Sequence, residues 1–182
     1  MTQQHPALEF LKYLDPNLGA RFNIEHYTDV PQGAAKPKPD PLMGRYPNLT
    51  LFEVEKLLPS LSELNERGAG IFVARNQCSG QRCEKNITRI RGVHADLDKV
   101  SEEQLNAVMD VLQPSIVVRS SPGRYQLYWQ LAEGEILSKE ETKAINQCLA
   151  REHGADPAAV DASRLLRLPG FKHMKYRIQT HD

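Results

Sequence analysis

Cysteine is scarce in this chain, and the three present, Cys78, Cys83 and Cys148, are too few and too unevenly spaced for a disulfide framework. Cys78-x4-Cys83 is at most half of a zinc site, since Cys148 is distant and the histidines show no metal-ligand spacing. No apolar run approaches the roughly 20 residues that span a bilayer, and no secretory leader is recognisable. A cytoplasmic protein with no membrane partner is expected. Net charge is also missing: 23 basic and 23 acidic residues cancel. No global field advertises nucleic acid, so any such contact has to be local. There is no Walker-type glycine loop and no His-x-His pair among the six histidines.

What is present is a pattern of carboxylates. In Val93-His94-Ala95-Asp96-Leu97-Asp98 the two acids lie two positions apart, so on an extended strand they share a face, roughly 6–7 Å from each other. Magnesium takes oxygen ligands at about 2.0–2.1 Å, commonly one or two carboxylates with substrate phosphates and water. A third carboxylate would complete a site that activates a hydroxyl and neutralises departing pyrophosphate. Asp161 is the leading candidate, with Asp156 as a competitor whose Gly154-Ala-Asp-Pro setting reads first as a turn or cap. Two basic blocks flank these acids: Arg75, Arg82, Lys85, Arg89 and Arg91, then Arg164, Arg167, Lys172, Lys175 and Arg177. Cations around an acidic metal site suit a triphosphate and a nucleic-acid backbone.

The length, 182 residues, suits one catalytic module. Apolar spacing predicts a helix from Pro6 to about Leu14, stopped by Asp15-Pro16, and alternation predicts a strand over Phe22–Tyr27. Pro31 to Pro47 reads as a loop, and Thr50 to Arg67 as a helix or a helix pair broken around Pro59. A buried strand follows at Gly70–Ala74, a polar hairpin or loop at Asn76–Asn86, and a second strand at Ile87–Leu97 with the acids at its end. Ser101 caps a helix running towards Pro114, Ser115–Arg119 and Tyr125–Leu131 form a hairpin, and a helix covers Ser138–His153. This order predicts an α+β fold: an RRM-like antiparallel sheet core with helices packed on it. Residues 1–69 form an N-terminal αβ extension of the same module, and residues 70–182 the core. His94 shares the face of Asp96 and is expected to be packed. Arg164 and Arg167 form a phosphate fork if helical, or structural ion pairs with nearby acids. Tyr125, Tyr128 and Trp129 either stack on bases or enter the core.

Three ordered blocks carry a family resemblance. They are Asn86-Ile-Thr-Arg-Ile-Arg-Gly-Val-His-Ala-Asp96-Leu-Asp98, Ser120-Ser-Pro-Gly-Arg-Tyr-Gln126-Leu-Tyr-Trp129, and Asp161-Ala-Ser-Arg-Leu-Leu-Arg-Leu-Pro-Gly170-Phe-Lys-His173-Met-Lys175. Over roughly Gly70 to Lys175 the chain resembles archaeo-eukaryotic-type primases and primase-polymerases, and among them the RepB-type primases of plasmids and phages. The resemblance implies the archaeo-eukaryotic primase fold. It implies primer synthesis or extension from nucleoside triphosphates on a single-stranded DNA template, with Mg2+ or Mn2+ held by Asp96, Asp98 and Asp161. It also implies that the Ser120–Gln126 turn binds nucleotide through Ser120, Ser121, Gly123, Arg124 and Gln126. Gln126 stands where the family hallmark is a phosphate-binding histidine. Glutamine brings no charge, so neutralisation would fall to Arg124, Arg164, Arg167, His173 or Lys175.

Two other classes fit parts of the pattern. A replication-initiator nuclease of relaxase type also uses an RRM-like sheet and a metal, but that chemistry wants a histidine cluster and a tyrosine nucleophile. A non-catalytic single-strand-binding module would leave the acids incidental. The chain shows neither a zinc-binding nor a helicase motif, so it is expected to be the N-terminal part of a longer protein, with a replicative helicase in cis or in trans.

Overall fold

A computed structural model describes residues 4–30 and 34–176. Helix α1 (Pro6–Leu14) starts with Pro6 in its first turn and ends at Asp15, whose backbone N–H still reaches the Leu11 carbonyl. Strand β1 (Phe22–Thr28) pairs antiparallel with β2 (Gly44–Leu49) on one side and β3 (Ala69–Ala74) on the other. Helix α2 (Leu51–Glu66) links β2 to β3 and opens with a reciprocal capping box between Thr50 and Glu53. A last strand, β9 (Leu165–Arg167), adds to β3, giving the order β2-β1-β3-β9.

Between β3 and β9 come a short hairpin, β4 (Gln77–Cys78) with β5 (Ile87–Arg89), then β6 (Gly92–Asp98), α3 (Glu102–Val111), β7 (Ile116–Ser121), β8 (Arg124–Gln130) and α4 (Lys139–His153). Strands β6, β8 and β7 form a second, three-stranded antiparallel sheet. This is the predicted strand, helix, hairpin, helix order. Both helices carry Ser-led capping boxes, Ser101 with Gln104 and Ser138 with Glu141.

Pleating sorts the second sheet. Val93, Ala95, Leu97, Tyr125 and Leu127 face Leu105 and Val108 of α3 and Leu149 of α4 in one apolar core. A larger core gathers α1, α2, Ile24, Ile71, Val73 and Leu166 of the first sheet, and Tyr128 from the second. The opposite face of β6 is left to His94, Asp96 and Asp98.

Two expectations are corrected. Residues 44–49 form an edge strand rather than loop; proline is tolerated at an edge, so Pro47 does not break it. Of the two alternatives for Thr50 to Arg67, the single helix holds, over residues 51–66 with Pro59 exposed inside it. The strand expected over 87–97 is two, broken at Ile90 and Arg91, and the second begins at Gly92 with φ +145°. A Cβ on Gly92 would lie 2.0 Å from the Trp129 carbonyl oxygen and 2.6 Å from Arg75 Nη2, so close approach demands glycine. Strand β3 pairs with β1 and β9, so the N-terminal 69 residues and the rest share a sheet. Among the described residues no helix is long and apolar enough to cross a membrane.

Asp15 anchors α1 to the hairpin. Its fully buried carboxylate meets Arg89 and, at 2.8 Å, the buried Arg91 Nε. Burial alone would raise its pKa, but hydrogen bonds from Arg89 and Arg91 outweigh that and hold it below the ordinary value. Asp15→Ala would strand the Arg91 charge in the interior. It should cost about 3–5 kcal/mol and lower the melting temperature by about 10 °C, read by calorimetry; a loss under about 1 kcal/mol would mean that Arg91 finds another partner or water.

Candidate active site

The cross-strand register builds the site. On β6 and β8, Asp96 lies opposite Gln126, Asp98 opposite Arg124, and His94 opposite Tyr128. Asp98 is exposed and paired with Arg124. Asp96 is largely buried. Burial first, then the Asp98 and Asp156 carboxylates, push its pKa up to about 6, against the milder pull of Arg164 and Arg124. His94 is packed as expected: its Nε2 lies 2.8 Å from the Ala159 carbonyl, and burial, then Arg75, bring its pKa down to about 4.

The other acids arrive on the segment after α4. Asp156 donates its backbone N–H to the Asp96 carbonyl at 2.8 Å and caps a short 3-10 turn. Asp161 accepts from Ser163 Oγ at 2.8 Å, and Arg164 Nη1 lies 3.5 Å from it. The same guanidinium lies 3.9 Å from Asp156. Arg164 thus sits between the two candidate third carboxylates, and Asp156 is the one whose charge acts on Asp96. Arg164 and Arg167 do not form a helical fork. Residues 165–167 are β9 rather than helix, and Arg164, just ahead of that strand, keeps to Asp156 and Asp161. Arg167 turns instead to Asp29.

The predicted nucleotide turn is a hairpin: Gly123, at φ +70°, packs on Val100, whose N–H meets its carbonyl at 3.0 Å. Ser120 Oγ contacts the Arg124 carbonyl, and the Ser120 carbonyl lies 3.2 Å from His173 Nδ1. Ser121 Oγ is buried without a hydrogen-bond partner among the described residues. Gln126 is buried, its Oε1 accepting from Tyr128 Oη at 3.2 Å. Lys175 lies in a 3-10 turn beside His173. Arg177 and the expected end of the second basic block lie outside the described residues. Tyr125 and Tyr128 enter the two cores. Ser120, His173 and Arg167 therefore come together, whereas Gln126 sits deeper, beside Asp96.

Asp29 was not singled out by the sequence. It follows a strand as an ordinary turn residue would, and only the tertiary fold shows it buried against Arg167. A separate groove of about 870 Å³, lined by Asp15, Arg89, Arg91, Gln130, Ile136 and Lys139, opens roughly 20 Å away at the other end of β6.

A divalent cation suits the donor set. Asp96, Asp98, Asp156 and Asp161 offer only oxygen, and the Asp96 pKa is raised first by burial and then by Asp98 and Asp156, whose repulsion a cation would relieve. Among the described residues no three His, Cys, Asp or Glu side chains converge closely enough to enclose an ion by themselves. Water and substrate oxygens would have to complete the shell.

In metal-free protein the folded state holds the Asp96 proton up to about pH 6, whereas an ordinary carboxylate releases it near 3.8. The folded state therefore binds more protons across that window, and stability falls as pH rises through it. In EDTA, Asp96→Asn should be more stable than wild type by about 1–3 kcal/mol above pH 6, with the difference vanishing below about pH 4. Magnesium should raise the wild-type melting temperature more than the variant's. Parallel melting curves at every pH would show that Asp96 is not strained.

The RepB DNA-primase N-terminal domain profile matches residues 42–182. A DNA primase of Acidithiobacillus ferrooxidans is 27% identical over 132 residues, 71% of this chain and 34% of that protein. The chain thus spans about a third of the length of that curated relative. Among solved structures, primase RepB′ superposes with a TM-score of 0.67 at 23% identity, covering 95% of this chain and 53% of that one. The RepB′ catalytic domain in complex with initiator DNA gives 0.65 at 23% identity, covering 94% and 80%. The AEP domain of the cyanophage S-2L primase-polymerase gives 0.69 at 16% identity, covering 93% and 83%. At such identities these likenesses establish the fold.

Proposed function

The chain belongs to the RepB DNA-primase N-terminal domain family, and on that premise we propose that it is a primase or primase-polymerase catalytic core. It joins nucleoside triphosphates on a single-stranded DNA template during plasmid or phage replication. The observation that carries this reading is the shared face of Asp96 and Asp98 on β6, with a third carboxylate and Arg164 brought against it from residues 156–164. Family membership favours it over the initiator nuclease and the non-catalytic binding module. The RepB′ catalytic domain in complex with initiator DNA supports a DNA template here too, and a replicative helicase in cis or in trans would expose that template.

Phosphoryl transfer needs positioning and charge neutralisation more than protein nucleophiles. Asp96 and Asp98 would hold Mg2+ or Mn2+, with Asp161 as the third carboxylate and Asp156 beside them. Such ions would supply Lewis acidity towards a 3′-hydroxyl and positive charge for the α-phosphate and the leaving pyrophosphate. Arg124, now on Asp98, and Arg164 balance acidic charge and turn to phosphate oxygens. Ser120, Ser121 and Gly123 present hydroxyls and backbone N–H groups to the triphosphate. Arg167 of β9, with His173 and Lys175 of the segment that follows it, would face it from the other side, and Gln126 hydrogen-bonds beside Asp96 without adding charge.

The test incubates purified protein with single-stranded DNA, labelled nucleoside triphosphates and either metal, resolving products by length. Metal-dependent oligonucleotides are expected, or extension of a supplied primer. Cleaved DNA in their place would support the nuclease, and tight DNA binding without products the binding module. Asp96→Ala/Asp98→Ala should lower incorporation by at least about a thousandfold while the protein stays folded. Gln126→His should preserve or raise incorporation; complete loss would mean that Gln126 does not stand in the nucleotide motif.

A further inference from the structure

Asp29 lies ahead of residues 42–182, the span matched by the family profile, yet it touches more of the proposed triphosphate site than any residue within the acidic cluster. Its side chain is fully buried. The carboxylate accepts from Arg167 Nη2 at 2.8 and 2.9 Å and from the Met174 backbone N–H at 3.1 Å, with His173 Nε2 at 3.9 Å. His173 in turn reaches the Ser120 carbonyl across the cleft. One carboxylate thereby joins β9, the turn carrying Lys175 and, through His173, the end of β7.

Arg167 is fixed from a second direction. Its guanidinium carbon lies 4.9 Å over the Phe72 ring, Phe72 stacks on Tyr27 at 4.4 Å and 11°, and Lys36 Nζ covers Tyr27 at 4.3 Å. Gly70 leaves the room: a Cβ there would lie 2.7 Å from the Phe72 ring and 3.2 Å from Arg167 Nη1. In-plane hydrogen bonds and a ring beneath fix both position and orientation of the guanidinium. Only Nη2 is engaged by Asp29, so the Nε and Nη1 N–H groups remain as single donors for phosphate oxygens. A buried pair of this kind is weak as a source of stability, and its use is to hold a geometry.

We propose that Asp29 is the positioning residue of the triphosphate site, setting Arg167 and His173 in place for substrate phosphates without touching substrate itself. The inference rests on the reading of Arg167 as a phosphate ligand. Its charge is already matched by Arg167, so it presents no net repulsion to the incoming anion.

The test is a double-variant cycle with Asp29→Asn, Arg167→Gln and both together. It reads KM and kcat for nucleoside triphosphate, binding of a non-hydrolysable triphosphate by calorimetry, and thermal melting. Arg167→Gln should weaken triphosphate binding about tenfold or more. Asp29→Asn should raise KM similarly with a smaller change in kcat, and the double variant should be no worse than Arg167→Gln. If Asp29→Asn alone fails to fold, the double variant, which leaves no unpaired buried charge, carries the comparison with Arg167→Gln. Unchanged triphosphate affinity in folded Asp29→Asn overturns the proposal, as does a further loss of about tenfold on adding it to Arg167→Gln. Unchanged affinity in Arg167→Gln overturns it at its premise, and wild-type incorporation then shows whether the wider polymerase reading survives.

Discussion

Arg75 and Asn76 join the two sheets, and the site depends on that join. Arg75 extends from β3 into the interior, where Nη2 donates to the carbonyls of Val93 and Trp129, a cross-strand pair of β6 and β8, at 3.2 and 3.1 Å. Its backbone N–H holds the Arg164 carbonyl at 2.9 Å, and Asn76 holds the Ala162 carbonyl and the Arg91 N–H. Two consecutive residues therefore fix β6, which carries Asp96 and Asp98, against the segment that carries Asp161 and Arg164. The arrangement is costly. Burial lowers the Arg75 pKa to about 9, and Nε and Nη1 have no hydrogen-bond partner among the described residues. The Tyr128 ring 5.4 Å away and the two carbonyls offset part of that cost.

The same economy of charge runs through the cleft. Carboxylates that repel one another are held in place by backbone pairing on β6 and by a hydrogen bond from Asp156 to the Asp96 carbonyl. Arginines sit against most of them: Arg124 at Asp98, Arg164 at Asp156 and Asp161, Arg167 at Asp29. On the proposed reading such a site would suit an anion carrying its own cations: Arg124 and Arg164 would turn to phosphate once a metal took their carboxylates, while Asp29 would keep Arg167 in place. Neutral overall charge is no obstacle to binding a triphosphate when the local charges are so arranged.

Much of this was legible in the sequence where the signal is local. Periodicity and capping residues located α1, α3 and α4, and alternation placed Asp96 and Asp98 on one face of a strand end. What escaped depends on tertiary neighbours. Pro47 argues locally against a strand, but an edge tolerates it, whereas Pro59 left one helix or two open and its exposed helix face settles on one. Gly92 reads as part of a continuous strand until Arg75 is seen beneath it. The pairing of β3 with β1, and so the partnership of Asp29 with Arg167 across more than a hundred residues, has no local signature. The Asp-Ala-Ser-Arg-Leu-Leu-Arg spacing is equally compatible with helix and strand, and only the β3 pairing decides that Arg164 and Arg167 part company.

The central claim is that the β6 carboxylates and the segment after α4 form one cation site for a triphosphate. The most direct measurement is anomalous scattering from crystals soaked with Mn2+ and a non-hydrolysable nucleoside triphosphate. The account predicts a manganese peak bonded to Asp96 and Asp98 at about 2.2 Å, with a carboxylate from residues 156–161 or a phosphate oxygen completing the shell. Bound triphosphate without a peak at these aspartates, or manganese only elsewhere on the chain, would contradict it.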